Sequence, residues 1–527
     1  MSIAFGSRYP CDDVANAEAQ RHVYCPKSHR PWVLAVSILG SSLAFVEGSV
    51  VSVALPALQT SFGIDSAAIQ WVSNAYLLVL GAFLLIGGAA GDAYGLKRVF
   101  MAGVLLFGFG ALACGFADTF AMLIGARVVQ ALGAAALVPT SLALISRYFD
   151  KEERGRAIGI WAGSSALTTA LGPALGGWLV DAFGWPAVFL MVPPLALLAL
   201  LISVWRVPVD TTRAMQSLDY AGAAMLAGAL LALVLSILGG ALVSPMLWVL
   251  LSLVLAAAFV LRQWKAAMPM LPLKLFRIPA FSGVNLMTVL LYGALSGMLY
   301  FLPFNLIQVQ GYSAFQTGAA FLPMTLLIGV GSVFAGDLIR RFSARKVLTF
   351  GPLIAALGFA AFALPDAQTH YVRDWLPGIL LIGVGMTLCV APLTTVVMNA
   401  VDDTNAGVAS GVNNTAARLA GVLSIALLTA VAVSVFSSSL DIRLQNQGVS
   451  PGLREALLEQ SASLATIDVP EGVSSASAVA AMIEGSYIDA FRRVAVSCSL
   501  AALLSALVAW QTLRPGPSRG REQAGGT

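Results

Sequence analysis

The sequence predicts an all-α polytopic membrane protein: fourteen transmembrane helices, built as two parallel six-helix halves plus two extra central helices. Three observations predict it. The composition is that of a lipid-facing chain, apolar stretches long enough to cross a bilayer recur throughout, and the basic residues cluster between alternate stretches. Of 527 residues, 58% are hydrophobic and 11% are charged, against about 45–50% and about 25% in soluble domains. A soluble protein of this size needs a charged surface that so few Asp, Glu, Lys and Arg cannot cover. A soluble enzyme, a disordered chain and a nucleic-acid binder are therefore disfavoured. The net charge of +4 says less than where the charges sit.

The apolar stretches place spans at 32–57, 70–91, 99–117, 121–145, 157–180, 185–205, 219–240, 246–264, 281–303, 315–337, 347–365, 375–398, 407–436 and 487–513. Each is near the ~20 residues that cross a hydrocarbon core of about 30 Å. The long thirteenth must tilt or project. Barrel strands would alternate in polarity and these stretches do not, so the fold is a helical bundle.

Orientation follows from the 30 Lys and Arg. With the N-terminus inside, the outside loops and the outer turns of the last span hold only Arg373, Arg443, Arg454, Arg492 and Arg493. Arg127 and Arg418 fall within spans, and all the others are inside, among them Lys97, Arg98, Lys151, Lys274 and Arg345. This satisfies the positive-inside rule, and an odd span count would break the alternation midway. The expected organisation is a cytoplasmic tail (1–31), a six-helix half (32–205), a linker with two extra helices (206–280), a second half (281–513) and a cytoplasmic tail (514–527). The location is the cytoplasmic (inner) membrane, with both termini in the cytosol.

Residues 1–31 contain no apolar core of a signal peptide, so the first span is expected to target the chain. Five cysteines, odd and scattered, form no disulfide framework. Cys11, His22, Cys25 and His29 of the tail match no zinc spacing, and neither metal nor cofactor is expected. The long outside loop, 437–486, carries Leu453, Leu457 and Leu464 on one potential helical face, and a short helix at the membrane surface is expected there.

The chain repeats itself. Gly91-Asp92 ends the second span and Gly336-Asp337 the tenth, each followed by basic residues. A weaker echo links Arg154-Gly155-Arg156-Ala157-Ile158-Gly159 with Asn405-Ala406-Gly407-Val408-Ala409-Ser410-Gly411. Both copies keep one membrane orientation, which is a transporter architecture of parallel repeats.

Four stretches carry chemistry. In span 1, Glu47 lies within Phe45-Val46-Glu47-Gly48-Ser49-Val50. A carboxylate at the centre of a span costs about 3 kcal/mol and calls for a reason, either an ion pair that fixes packing or a proton or cation site. In span 4, Arg127-Val128-Val129-Gln130-Ala131-Leu132-Gly133 holds a buried cation. Glu47 is about 14 Å from the outer end of its span and Arg127 about 9 Å from the outer end of its own, so their side chains can meet. Burial and a neighbouring arginine act on a glutamate's proton affinity in opposite senses, and a site balanced between them can load and release a proton.

The third stretch is Gly88 to Arg98, with Asp92, Gly95, Lys97 and Arg98. An acid beside helix ends and arginines can latch one side of a bundle; the basic pair alone can also serve topology. The fourth is Gly159 to Gly177 in span 5, with Gly172, Pro173, Gly176 and Gly177. Glycines let helices approach and proline kinks them, so the stretch is either a packing face or a hinge. Asn74, Tyr76, Asn285, Tyr300, Asn305 and the buried Arg418 can line a cavity, or serve as packing residues.

With these four stretches in order over spans 1–5, and fourteen spans in all, the chain resembles the major facilitator superfamily, and more closely its fourteen-span drug–proton antiporter branch. The branch usually has aspartate where Glu47 stands. The Arg127 stretch resembles motif B, implicated in proton coupling, with Ala131 where glycine is usual. Gly88–Arg98 resembles the motif A latch, with Ala93 and Leu96 at often basic positions. Gly159–Gly177 resembles motif C, the antiporter motif, with Thr168 in place of one glycine. The resemblance implies proton-coupled efflux of amphipathic, often cationic, drug-like molecules. The expected partners are the small-molecule substrate, protons and the bilayer, and no nucleic acid. In a double-membraned bacterium a periplasmic adaptor and an outer-membrane channel join them.

Three other functions compete. An exporter or importer of an endogenous metabolite needs only the same fold, although motif C argues against import. A membrane-embedded enzyme needs a nucleophile, paired acids or metal ligands at one depth, and the only histidines, His22, His29 and His370, lie outside the spans. ATP-driven transport needs a Walker-type lysine loop, and none is present.

Overall fold

The computed structural model describes residues 28–64, 66–208, 219–238, 244–266, 269–312, 314–366, 369–402, 405–461, 464 and 476–513. Among them there is no strand, and the helices are α1 (Arg30–Phe62), α2 (Ser66–Tyr94), α3 (Leu96–Gly115), α4 (Phe120–Tyr148), α5 (Lys151–Phe183), α6 (Pro186–Leu190), α7 (Val192–Arg206), α8 (Tyr220–Leu238), α9 (Pro245–Lys265), α10 (Pro279–Phe304), α11 (Ala314–Ala320), α12 (Leu322–Phe342), α13 (Ala344–Ala361), α14 (Leu376–Asn399), α15 (Ala406–Asn446), α16 (Pro451–Glu459) and α17 (Ala476–Thr512). Twelve helical segments among the described residues are long and apolar enough to cross a membrane. The fifth and seventh expected spans fall on α5 and α8, whose apolar stretches Ala174–Phe183 and Tyr220–Leu233 are shorter.

The ends are set by local chemistry. Thr119 Oγ1 accepts from Met122 N at 3.2 Å and starts α4, and Asp150 Oδ1 accepts from Glu153 N at 3.2 Å and starts α5. Gly63 closes α1 in the left-handed region at φ 61°, where a side chain is strained. The sixth span breaks at Met191 between α6 and α7, ahead of Pro193-Pro194, and the tenth breaks at Phe321 between α11 and α12, ahead of Pro323. Proline removes a backbone donor and tolerates only the start of a helix.

The chain divides into two compact units. The first comprises residues 1–282, 332–340 and 394–415. Its hub is α4, which packs on α1, α2 and α3. In α3, a Cβ on Gly110 would stand 2.6 Å from Gln130 N, and in α4 one on Gly133 would stand 2.7 Å from Phe107 Cα. Only glycine allows so close a crossing, and it brings α3 against the turn of α4 that carries Arg127 and Gln130. The most apolar window of α4 is 78% buried and that of α9 only 11%. Helix α9 therefore turns Met246, Leu250, Leu253, Val254 and Trp264 outward, a surface suited to lipid rather than water.

The second unit comprises residues 283–331, 341–393 and 416–527. Its core runs from Leu291, Met298 and Phe301 to Phe359, Trp375, Phe436, Leu440, Tyr487 and Phe491. Here the loop expected over 437–486 is corrected. Helix α15 continues for 41 residues to Asn446, and α17 already begins at Ala476. The short helix α16 between them packs on this core. Its Leu457 is fully buried in the core, with Leu453 and Leu464 packed beside it, and Arg454 Nε donates to Asp441 Oδ1 of α15 at 2.5 Å.

Candidate functional site

The first unit buries an ion pair. Arg127 Nη1 donates to Glu47 Oε1 at 2.9 Å, and each side chain is 1% exposed. Two isolated charges in this environment would be costly, and a neutral frame of acceptors and rings reduces the cost. Arg127 Nε donates to the Val72 carbonyl at 2.9 Å, and Nη1 also donates to Gln130 Oε1 at 2.8 Å. The guanidinium lies 4.4 Å from the Tyr76 ring centroid and 5.8 Å from that of Phe189. Tyr76 is itself fixed by donating its hydroxyl to the Ala44 carbonyl at 3.2 Å.

The pair is asymmetric. Among the described residues, buried Glu47 Oε2 and Gln130 Nε2 have no hydrogen-bond partner. An ionised carboxylate with one oxygen bonded and the other bare is under-solvated, and the bare oxygen is where a proton can add without first breaking the arginine bond. Gln130 was not singled out by sequence reasoning. Its position three residues after Arg127, on the same helix face, was the available signal.

The Gly159–Gly177 stretch of α5 backs this site. A Cβ on Gly172 would collide with the Ser49 side chain, and one on Gly176 would stand 2.9 Å from Val50 O. These glycines set α5 against the turn of α1 that follows Glu47. Gly159 meets a different neighbour, with a Cβ there 2.5 Å from Ser332 O. Gly177 has only Val53 nearby, at 3.9 Å, and its glycine identity has no steric reason. The Pro173 side chain is outside the described residues. Beside this face, Ser41 and Ser141 share a hydrogen bond of 2.5 Å, and Trp161 Nε1 donates to Ser41 Oγ at 2.9 Å.

In the last turn of α2, Asp92 finds a partner far away in sequence. Its Oδ1 accepts from Gly407 N at 2.9 Å and its Oδ2 from Val408 N at 2.8 Å. These are unpaired donors of the first turn of α15, where a carboxylate is favoured by bonding and by the helix dipole. Gly95, at φ 99°, turns the chain into α3. Lys97 Nζ caps the end of α7 through the Val207 carbonyl at 2.6 Å, and Arg98 is exposed, so the charge facing the start of α15 is carried by Asp92. Arg154, buried at the start of α5, donates from Nη1 to Asn399 Oδ1 at 2.9 Å and from Nη2 to the Ser146 carbonyl.

The expected cavity residues come from both units. Asn74 and Tyr76 belong to the first unit, and Asn285, Tyr300, Asn305 and Arg418 to the second. Tyr76 is buried as the shelf under Arg127. Asn285 and Asn305 are buried, Tyr300 packs its ring 5.1 Å from Phe301, and Arg418 is half-buried. Among the described residues no three His, Cys, Asp or Glu side chains gather as a metal site. His29 Nδ1 lies 3.1 Å from the Arg206 carbonyl, while Cys11, His22 and Cys25 lie outside the described residues.

Known proteins resemble the chain in sequence and fold. The family model described as the Major Facilitator Superfamily matches residues 37–425. The multidrug resistance protein Stp of Mycobacterium tuberculosis is 33% identical over 429 residues, 80% of this chain and 79% of its own length. The tetracenomycin C resistance and export protein of Streptomyces glaucescens is 30% identical over 93% of each chain. The puromycin resistance protein pur8 of Streptomyces alboniger is 34% identical over 81% of this chain and 86% of its own. Among solved structures, the proton:xylose symporter XylE aligns with a TM-score of 0.61 at 13% identity, over 92% of this chain and 96% of its own.

Proposed function

The chain belongs to the major facilitator superfamily and is a transporter rather than an enzyme, and from that premise we propose that it exports amphipathic, often cationic, drug-like molecules in exchange for protons. The observation that carries this reading is the buried Glu47–Arg127 pair with one bare carboxylate oxygen. The resistance and export roles of its relatives support the substrate class.

The geometry offers a simple cycle. A proton adds to Glu47 Oε2 and leaves a neutral acid. The attraction for Arg127 weakens, while Arg127 keeps Gln130, the Val72 carbonyl and the Tyr76 ring as partners. The cation is therefore held in place while the acid changes charge. A cationic substrate is attracted to the ionised carboxylate and not to the neutral one, so proton and substrate compete. One pH unit supplies about 1.4 kcal/mol and 100 mV about 2.3 kcal/mol per charge, enough to drive uphill export.

The wider arrangement supports the same reading. We place fourteen spans in the cytoplasmic membrane, both termini in the cytosol, and the Asp92 latch on the cytoplasmic side. Gly172 and Gly176 of α5 couple the protonation site to a helix crossing with α1 that has no room for a Cβ at either position. Inside-out vesicles test the proposal. A lipophilic cation should accumulate against its gradient when a proton gradient is imposed, and an uncoupler should abolish the accumulation. Accumulation that survives the uncoupler would sink the proton-coupled reading.

A further inference from the structure

The second unit carries a groove that the transport reading leaves unused. It encloses about 520 Å³ between the C-terminal part of α15 and the middle of α17, and is lined by Ser434, Ser438, Ser439, Arg443, Asp489 and Arg493. Its polar groups are organised. Arg443 Nη2 donates to Asp489 Oδ2 at 2.8 Å, Ser439 Oγ donates to the same oxygen at 2.7 Å, and Arg443 Nε lies 3.3 Å from Ser439 Oγ. Gly485 makes the room, since a Cβ there would stand 2.9 Å from Arg443 Nη1. Arg493 is exposed at the rim, and among the described residues no carboxylate pairs with it. One acid against two arginines leaves the groove a net positive charge.

Depth and register add the second half of the argument. Arg493 lies about 28 Å along α17 from the helix end at Thr512 and Ser434 about 40 Å along α15 from Gly407. The hydrocarbon core is about 30 Å and the whole bilayer about 40–45 Å, so the groove sits at headgroup level. In helical register below it, α15 exposes Leu423 and Leu427, and α17 exposes Val496, Leu500 and Leu504. These lie one to three turns from the polar lining and on the same faces. A cationic, serine-lined groove above two apolar stripes matches an amphiphile with an anionic head and hydrocarbon chains.

We propose that this groove binds the headgroup of an anionic phospholipid, its phosphate on Arg493 and Arg443 and its acyl chains along the two stripes. The groove is of ligand size, and a guanidinium is suited to phosphate oxygens. Arginines at helix ends often snorkel without selecting a lipid. Here the Asp489 and Ser439 contacts hold Arg443 in one orientation, which makes the groove a shaped receptor. The assignment to the outer leaflet rests on the proposed topology, whereas the binding itself does not depend on transport.

The test uses the full-length purified protein in a nonionic detergent, titrated with phosphatidylglycerol, phosphatidylcholine or soluble glycerol phosphate. Retained lipid is read by native mass spectrometry and stabilisation by thermal melting. Phosphatidylglycerol should be retained in preference to phosphatidylcholine, and glycerol phosphate should not compete at equal concentration. Arg493→Gln, on an exposed side chain, should lower the apparent affinity about tenfold while the lipid-free melting temperature stays unchanged. Ser438→Asp, which places a negative charge in the groove, should abolish the preference. Equal retention of the two lipids, or wild-type retention by Arg493→Gln, would overturn the proposal. Competition by glycerol phosphate would make the groove a site for free anions and would overturn it equally.

Discussion

Asp92 and Gly407 are 315 residues apart and meet through a hydrogen bond of 2.9 Å, the carboxylate accepting from the first turn of α15. Gly407 also packs face to face with Gly88, where a Cβ would strike the Gly88 carbonyl. The motif on α2 and the weak sequence echo at 405–411 are thus two halves of one contact. Charge and close packing hold it together, and the two contributions can be separated by substitution.

Removing the charge is the first separation. Asp92→Asn keeps the shape and one acceptor but loses the interaction of a full charge with the helix start, worth about 1–2 kcal/mol. That corresponds to about a five- to thirty-fold shift in a two-state equilibrium. Transport should fall while the amount of inserted protein stays near wild type, because Lys97 and Arg98 still set topology. Wild-type transport rates in Asp92→Asn would reduce the motif to a topology signal.

Removing the space is the second. Gly407→Ala leaves Asp92 charged but puts a methyl 2.9 Å from its Oδ1 and into the Gly88 carbonyl, and overpacking of this kind costs about 1–3 kcal/mol. Accessibility of introduced cysteines near 407 to a thiol reagent should rise. Gly125→Ala is the control, since nothing lies within 4 Å of a Cβ there. Equal effects of the two substitutions would show that the close approach is unimportant.

The orientation is tested by labelling. Single cysteines near Lys97, Lys151, Lys274 and Arg345 should resist an impermeant thiol reagent in intact cells, and one at Gln447 should react. The ground is the skew of basic residues toward alternate loops. Labelling of the Lys274 position without labelling at 447 would invert the scheme around the two extra helices.

Much of this was legible in the sequence, for identifiable reasons. Spans announce themselves because lipid demands some twenty apolar residues. The meeting of Glu47 and Arg127 was approachable because depth along a helix is simple arithmetic. Less legible were contacts that use backbone atoms. No pattern announces that Asp92 binds two main-chain N–H groups of α15, or that Val72 offers Arg127 its carbonyl. The extension of α15 was obscured by Ser437-Ser438-Ser439 and Asp441, which read as loop. Phe436, Leu440 and Leu444, spaced by four and fully buried, were the signal that the helix continues.

The last prediction concerns Glu47. If it exchanges a proton for substrate, Glu47→Gln fixes it in a neutral state that cannot alternate, and uphill transport should be lost. Glu47→Asp restores a titratable acid one methylene shorter. The 2.9 Å contact with Arg127 must lengthen or α1 must shift, so activity should be reduced and not abolished. Gln130→Leu removes the second acceptor of Arg127 Nη1 and a polar neighbour of Glu47, but leaves the carboxyl group itself in place. It should impair cycling less than Glu47→Gln, because Val72 and Tyr76 still hold the guanidinium. A purely structural ion pair predicts otherwise. Glu47→Gln would then strand a buried arginine, lower folding yield by about 3–5 kcal/mol of lost stability, and leave the surviving protein pumping. The measurement that separates the two is uncoupler-sensitive transport per folded molecule for wild type, Glu47→Gln, Glu47→Asp and Gln130→Leu. Full per-molecule transport by Glu47→Gln would remove the coupling role and leave the pair as a packing element.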